Sequence, residues 1–148
     1  MKKSIVISIC CLLMALSSDI IACTSAIISG RVTPDGRPLL WKHRDTGAAQ
    51  NLVRYFHGAN YAFSAIAQTN NPNPRSVWMG VNEAGFAIIN TMSYNIEPTE
   101  NDENADNNGY IMKIALGECA DAEEFETLLN SLEKPWLISA NLGVIDAK

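Results

Sequence analysis

The chain has 148 residues, 47% of them hydrophobic and 18% charged, which is ordinary globular composition and argues against a disordered or collagen-like protein. The net charge is −5 and becomes more negative once residues 1–22 are set aside, because Lys2 and Lys3 go with one acid, Asp19. No basic stripe is present to neutralise phosphates, which argues against nucleic-acid binding, and five acids (Glu97, Glu100, Asp102, Glu103 and Asp106) fall in one short polar segment that reads as a solvated loop.

The N-terminus reads as an export signal. Met1-Lys2-Lys3 forms a basic start, residues 4–18 an apolar run too short for a comfortable membrane span, and Ala22 a small residue at the cut. Cleavage there discards Cys10 and Cys11 and makes Cys23 the first residue of a periplasmic or extracellular domain, 23–148, that keeps two cysteines and so has no disulfide framework. Two chemistries compete for that position. Ile20-Ile21-Ala22-Cys23 has the pattern of a lipobox, in which the thiol takes a diacylglycerol and the amine is acylated, giving a non-enzymatic surface lipoprotein. Alternatively, Cys23 is an N-terminal nucleophile whose α-amine, with a pKa of about 8, serves as general base. A lipid anchor is usually followed by a polar tether, whereas Thr24-Ser25-Ala26-Ile27-Ile28-Ser29-Gly30-Arg31-Val32 is strand-like from its first residue.

Further along, Pro38-Leu39-Leu40-Trp41 reads as a second strand and 61–68 as a third, with a hairpin of 76–80 and 86–91 joined by Val81-Asn82-Glu83-Ala84-Gly85. Residues 95–108 are polar and acidic, a mobile loop by composition. Helical spacing follows, with Tyr110, Ile111, Ile114 and Ala115 on one apolar face. A second helix carries a capping box at Asp121 and Glu124, an apolar stripe of Phe125, Leu128, Leu129 and Leu132, and a stop at Pro135; 137–145 is a final strand. The sum is a layered α+β domain. Cys119 reads as a buried small residue, the three tryptophans as core or interface aromatics, and two histidines make no metal site.

Cys23-Thr24-Ser25, followed after a Pro-Asp-Gly turn by Lys42-His43-Arg44-Asp45, resembles the start of the cysteine N-terminal-nucleophile hydrolases: choloylglycine hydrolases, penicillin V acylases, isopenicillin-N acyltransferase-like proteins and related dipeptidases. The turn Gly80-Val81-Asn82-Glu83-Ala84-Gly85 is similar to the family's Gly-x-Asn-Glu-x-Gly. Lys42 stands where the family usually has arginine, so charge is kept and the planar fork is lost. The resemblance implies an αββα sandwich of which this chain is the N-terminal half, no metal or organic cofactor, and hydrolysis or acyl transfer on a linear amide through a thioester at Cys23. In that chemistry Lys42 stabilises the thiolate, Asp45 orients the α-amine and Asn90 donates to the oxyanion, although the register leaves Met92 open as well. Bile amide, penicillin, acyl-CoA-dependent and dipeptide substrates are all compatible, as is an oligomer. The half-domain alone, residues 23–148, is expected to expose apolar sheet surface, to aggregate or remain partly unfolded, and to show no useful amidase turnover.

Register decides whether the cluster can form. A two-residue Asp35-Gly36 hairpin sets Ser29 opposite Lys42 and leaves Cys23 six residues, roughly 20 Å, away. A broader loop from about Gly30 to Gly36 sets Cys23 opposite Lys42 or His43, and the resemblance selects the broader loop.

Overall fold

The computed structural model describes residues 23–46, 50–68, 71–93, 96, 107–134 and 136–148. The export signal with its lipobox residues 20–22, nearly all of the acidic loop, and Pro135 lie outside the described residues.

Among the described residues, two antiparallel sheets and two α-helices are formed, a mixed α+β arrangement. Strands β1 (Thr24–Ile28) and β2 (Leu39–His43) form a two-stranded sheet. The strands β3 (Asn51–His57), β4 (Ala62–Gln68), β5 (Met79–Asn82), β6 (Ala87–Met92) and β7 (Ala140–Ile145) form a five-stranded sheet in that order. Helices α1 (Asn108–Glu118) and α2 (Ala122–Ser131) link β6 to β7, and α1 packs on β4, β5 and β6. The small sheet lies against β6 and β7. Its apolar pattern explains that choice, since both Ile88 and Ile89, neighbours on opposite faces of β6, are buried, at 0% and 2% exposure.

The first strand stops at Ile28, short of the expected Val32, because Ser29 Oγ accepts from Arg31 N and starts a 3-10 turn at Gly30–Val32. Gly30 is needed there: a Cβ would meet the Gly36 carbonyl oxygen at 2.2 Å. The connection is thus the broad loop. Thr24 pairs with His43 and Ser25 with Lys42, and the continued register sets Cys23 opposite Arg44, one residue beyond the expected partners.

Strand β3 is absent from the sequence reading, and it pairs with β4 along its whole length, from Asn51↔Gln68 to His57↔Ala62. The final strand begins at Ala140 rather than at 137, because Leu137 has φ 53°, in the left-handed region. The face of α1 also differs by one position. Ile111, Met112, Ala115 and Leu116 are buried while Tyr110 is 38% exposed. Close backbone approach sets that rotation, since a Cβ on Gly117 would stand 3.0 Å from Gly58 Cα. The start of the second helix follows expectation: Asp121 Oδ1 accepts from Glu124 N at 2.9 Å, Glu124 Oε2 accepts from Ala120 N at 2.7 Å, and Phe125 is buried against Phe86. Its end comes earlier than the expected stop at Pro135, because Leu132 is an extended C-cap that leaves the helix at Ser131. Of the tryptophans, Trp41 is half exposed on the outer face of β2, contrary to a core position.

The hairpin turn is held by one side chain. Asn82 Oδ1 accepts from the amides of Ala84 and Phe86 at 3.1 and 3.0 Å, and its Nδ2 donates to the carbonyls of Leu116 and Cys119 at 3.1 and 2.7 Å. Glu83 Oε1 accepts from Ala62 N. The Asn-Glu pair of the turn therefore joins the β5–β6 hairpin to the end of α1 and to the start of β4, which is a folding role.

Candidate active site

Period-two alternation along β2 leaves Leu39, Trp41 and His43 exposed and turns Leu40 and Lys42 toward the five-stranded sheet. Arg44 follows on the same side. In the five-stranded sheet the β5–β6 ladder ends at Met79↔Ile89, so the next residues, Trp78 and Asn90, are not paired with each other. The Lys42 ammonium fills that opening, with Nζ donating to Asn90 Oδ1 at 2.5 Å and to the Trp78 carbonyl at 3.1 Å.

Cys23 is partly buried, and its Sγ donates to the backbone carbonyl of Asp45 at 3.8 Å. Burial pushes the Lys42 pKa down to about 8, against the upward pull of a Cys23 thiolate, and the Arg44 charge lowers it further. Burial likewise lowers Arg44, again opposed by Cys23. Arg44 Nη1 donates to Asn51 Oδ1 at 2.9 Å, and the guanidinium lies 4.9 Å from the centroid of the Trp78 ring. The Trp78 indole Nε1 is buried without a partner among the described residues.

Of the four residues expected to carry chemistry, Lys42 and Asn90 touch, and Cys23 couples electrostatically to Lys42. Asp45 meets Cys23 through its main-chain carbonyl, which accepts from Cys23 Sγ. Asn90, 7% exposed, gives its oxygen to Lys42, which leaves its NH2 group as the donor offered to the site. Arg44 carried no assigned role in the sequence, yet it sits two residues from Lys42 on the same face and has the same coupling to Cys23. Met92 is exposed at the far end of β6, which leaves Asn90 as the amide beside Lys42. Cys119 is buried, and burial with Glu124, Glu118 and Asp121 pushes its thiol up to about 11, so it is no second nucleophile.

Next to this cluster, an apolar cleft of about 310 Å³ opens between Leu40 of β2 and Val53, Ile66, Met79 and Ile89 of the larger sheet. No group of metal-ligating side chains occurs among the described residues, and none of their helices is long and apolar enough to cross a membrane. No family model matches the chain, and neither a curated protein nor a solved structure does.

The Lys42 pKa fixes a pH dependence. Below about pH 8 the lysine is an ammonium and the cost of burying it is fully felt; that cost is relieved as pH rises from about 8 toward the ordinary 10.5. The aid that Lys42 lends to a neighbouring thiolate has the opposite sign and fades over the same interval. Iodoacetamide labelling of Cys23 in the parent chain and in Lys42→Met is therefore expected to differ most at neutral pH and to converge by about pH 10. A rate ratio that stays constant with pH would show that Lys42 does not act through its charge.

Proposed function

We propose that residues 23–148 belong to an exported amidohydrolase or acyltransferase that attacks a linear amide with Cys23 as its N-terminal nucleophile, and that they adopt part of an αββα sandwich of the cysteine N-terminal-nucleophile type. The observation that carries this reading is the gathering of two cations and an amide donor beside one thiol, with an apolar cleft lined by the neighbouring residues Leu40, Met79 and Ile89. The likeness of Cys23-Thr24-Ser25 and of Lys42 to Asp45 to that family supports the same conclusion.

In this mechanism the thiol passes its proton to the α-amine freed by signal removal, and the thiolate adds to the amide carbon. The oxyanion takes the Asn90 NH2, held in place by the bond from Lys42 to Oδ1. The α-ammonium then returns the proton to the departing amine, leaving a thioester on Cys23. Water or an acceptor amine releases the acyl group, and the choice between them separates hydrolysis from transfer. Lys42 and Arg44 lower the cost of negative charge at both stages, with Arg44 the permanent cation and Lys42 the one that titrates.

The test is to trap the intermediate. Incubation of the processed full-length enzyme with N-acyl p-nitroanilides, acid quench and mass spectrometry at low pH should give one acyl adduct on the N-terminal Cys23 peptide, with none on Cys23→Ala. Acylation that persists in Cys23→Ala would refute the assignment.

A further inference from the structure

We propose a second ligand site at the opposite end of β3, a cleft between the β3–β4 turn, the segment 73–75 and α1 that takes a small phosphate or carboxylate carried on an aromatic ring. Asn51, at the start of β3, accepts from Arg44 in the candidate active site, whereas His57, at its end, lines this cleft. Six residues of strand set the two about 20 Å apart.

The cleft measures about 370 Å³, and its lining includes Arg75 and Lys113 with the rings of Phe56, Phe63 and Tyr110. Neutral oxygens and ring faces hold both cations in position. Arg75 Nη2 donates to Asn107 Oδ1 at 2.8 Å, and the guanidinium lies 4.4 Å from the Tyr110 ring centroid. Lys113 Nζ donates to Asn73 Oδ1 at 2.8 Å and to the Pro74 carbonyl at 2.6 Å, and lies 5.1 Å from the Phe56 ring centroid. Among the described residues neither cation has a carboxylate partner; the ion pairs there are Arg37 with Asp35 and Lys148 with Asp121. Glu118 lines the same cleft, so the two cations leave it net positive in a chain of net charge −5.

Two preorganised cations that form no ion pair among the described residues, with aromatic residues beside them, define the ligand by its chemistry. An oxyanion supplies a counter-charge to Arg75 and to the Lys113 hydrogen not used by Asn73 or Pro74, and a flat ring fills the space along the exposed Tyr110. Partial burial lowers the Lys113 pKa, in keeping with a cation withdrawn from water and not yet matched by an anion.

The experiment is an NMR titration of the full processed chain with phenyl phosphate, benzoate and inorganic phosphate. Saturable shifts are expected for the first two, confined to the amides of Gly58, Tyr110, Lys113 and Gly117, with Arg75→Gln and Lys113→Gln each weakening binding about tenfold. Arg75 is an exposed side chain, so its variant keeps the fold if Lys113→Gln does not. No saturation below about 10 mM, or equal affinity in parent and Arg75→Gln, would overturn the site, and inorganic phosphate binding as tightly as phenyl phosphate would overturn its aromatic half. Cys23 labelling should be unchanged in both variants, which keeps this outcome separate from that of the proposed enzyme.

Discussion

Asn82→Asp is expected to destabilise the domain by about 3–5 kcal/mol at neutral pH although it changes one side-chain atom, because it sets a carboxylate against two carbonyl oxygens in a buried site. The parent amide donates to Leu116 and Cys119 and accepts from Ala84 and Phe86, so all its capacity toward the helix end is as a donor. A carboxylate keeps the two acceptor bonds and loses both donor bonds. Asn82→Ala removes all four and is expected to cost roughly 3 kcal/mol, leaving backbone groups unpaired but no charge. Burial and the two facing carbonyls favour the protonated form of the introduced carboxyl, which raises its folded pKa above the unfolded value. Its penalty is therefore full at high pH and is relieved as pH falls through the folded pKa toward about 4. Thermal melts should show the gap between parent and Asn82→Asp narrowing from about pH 8 to about pH 5. A gap that widens on acidification would show that Asn82 is not held by those carbonyls.

In a full-length enzyme carrying these residues, Asn90→Asp is expected to lower turnover on an N-acyl p-nitroanilide by about 10²–10³-fold or more while the chain stays folded. The substitution keeps an oxygen for the Lys42 ammonium, so the packing at the end of the β5–β6 ladder survives. It removes the NH2 donor and sets a negative charge where an oxyanion must form. Lys42→Arg tests the other partner of the same bond: it keeps the charge and is expected to preserve most of the thiol labelling, whereas Lys42→Met is not. Turnover within a few-fold of the parent in Asn90→Asp would remove Asn90 from the oxyanion site, and with it the use made here of its bond to Lys42.

The capping box at Asp121 was legible because a cap is local, settled within four residues of chain. Strand β3 was not, since Leu52 and Val53 are adjacent apolar residues and Arg54 and His57 interrupt the pattern; its pairing with β4 forms the strand, and no local signal reports it. On α1 several apolar stripes compete, and a tertiary contact, Gly117 against Gly58, chooses among them. In the candidate site, Lys42 and Asn90 were legible only through the resemblance to the cysteine N-terminal-nucleophile hydrolases. Arg44 was within reach by strand alternation, two residues from Lys42. The Trp78 carbonyl that completes the lysine's coordination carries no side-chain signature, and only the unpaired end of the β5–β6 ladder reveals it.

Everything proposed for the site depends on Cys23 having a free thiol and a free amine at once. Intact mass of the mature protein, recovered from cells that export it and then treated with an aldehyde, tests both groups, because a terminal cysteine with neither group blocked condenses to a thiazolidine. The account predicts a chain beginning at Cys23 whose whole population gains one aldehyde with loss of water. A mature mass carrying diacylglycerol or an N-acyl group, or a chain still bearing residues 1–22, would contradict it.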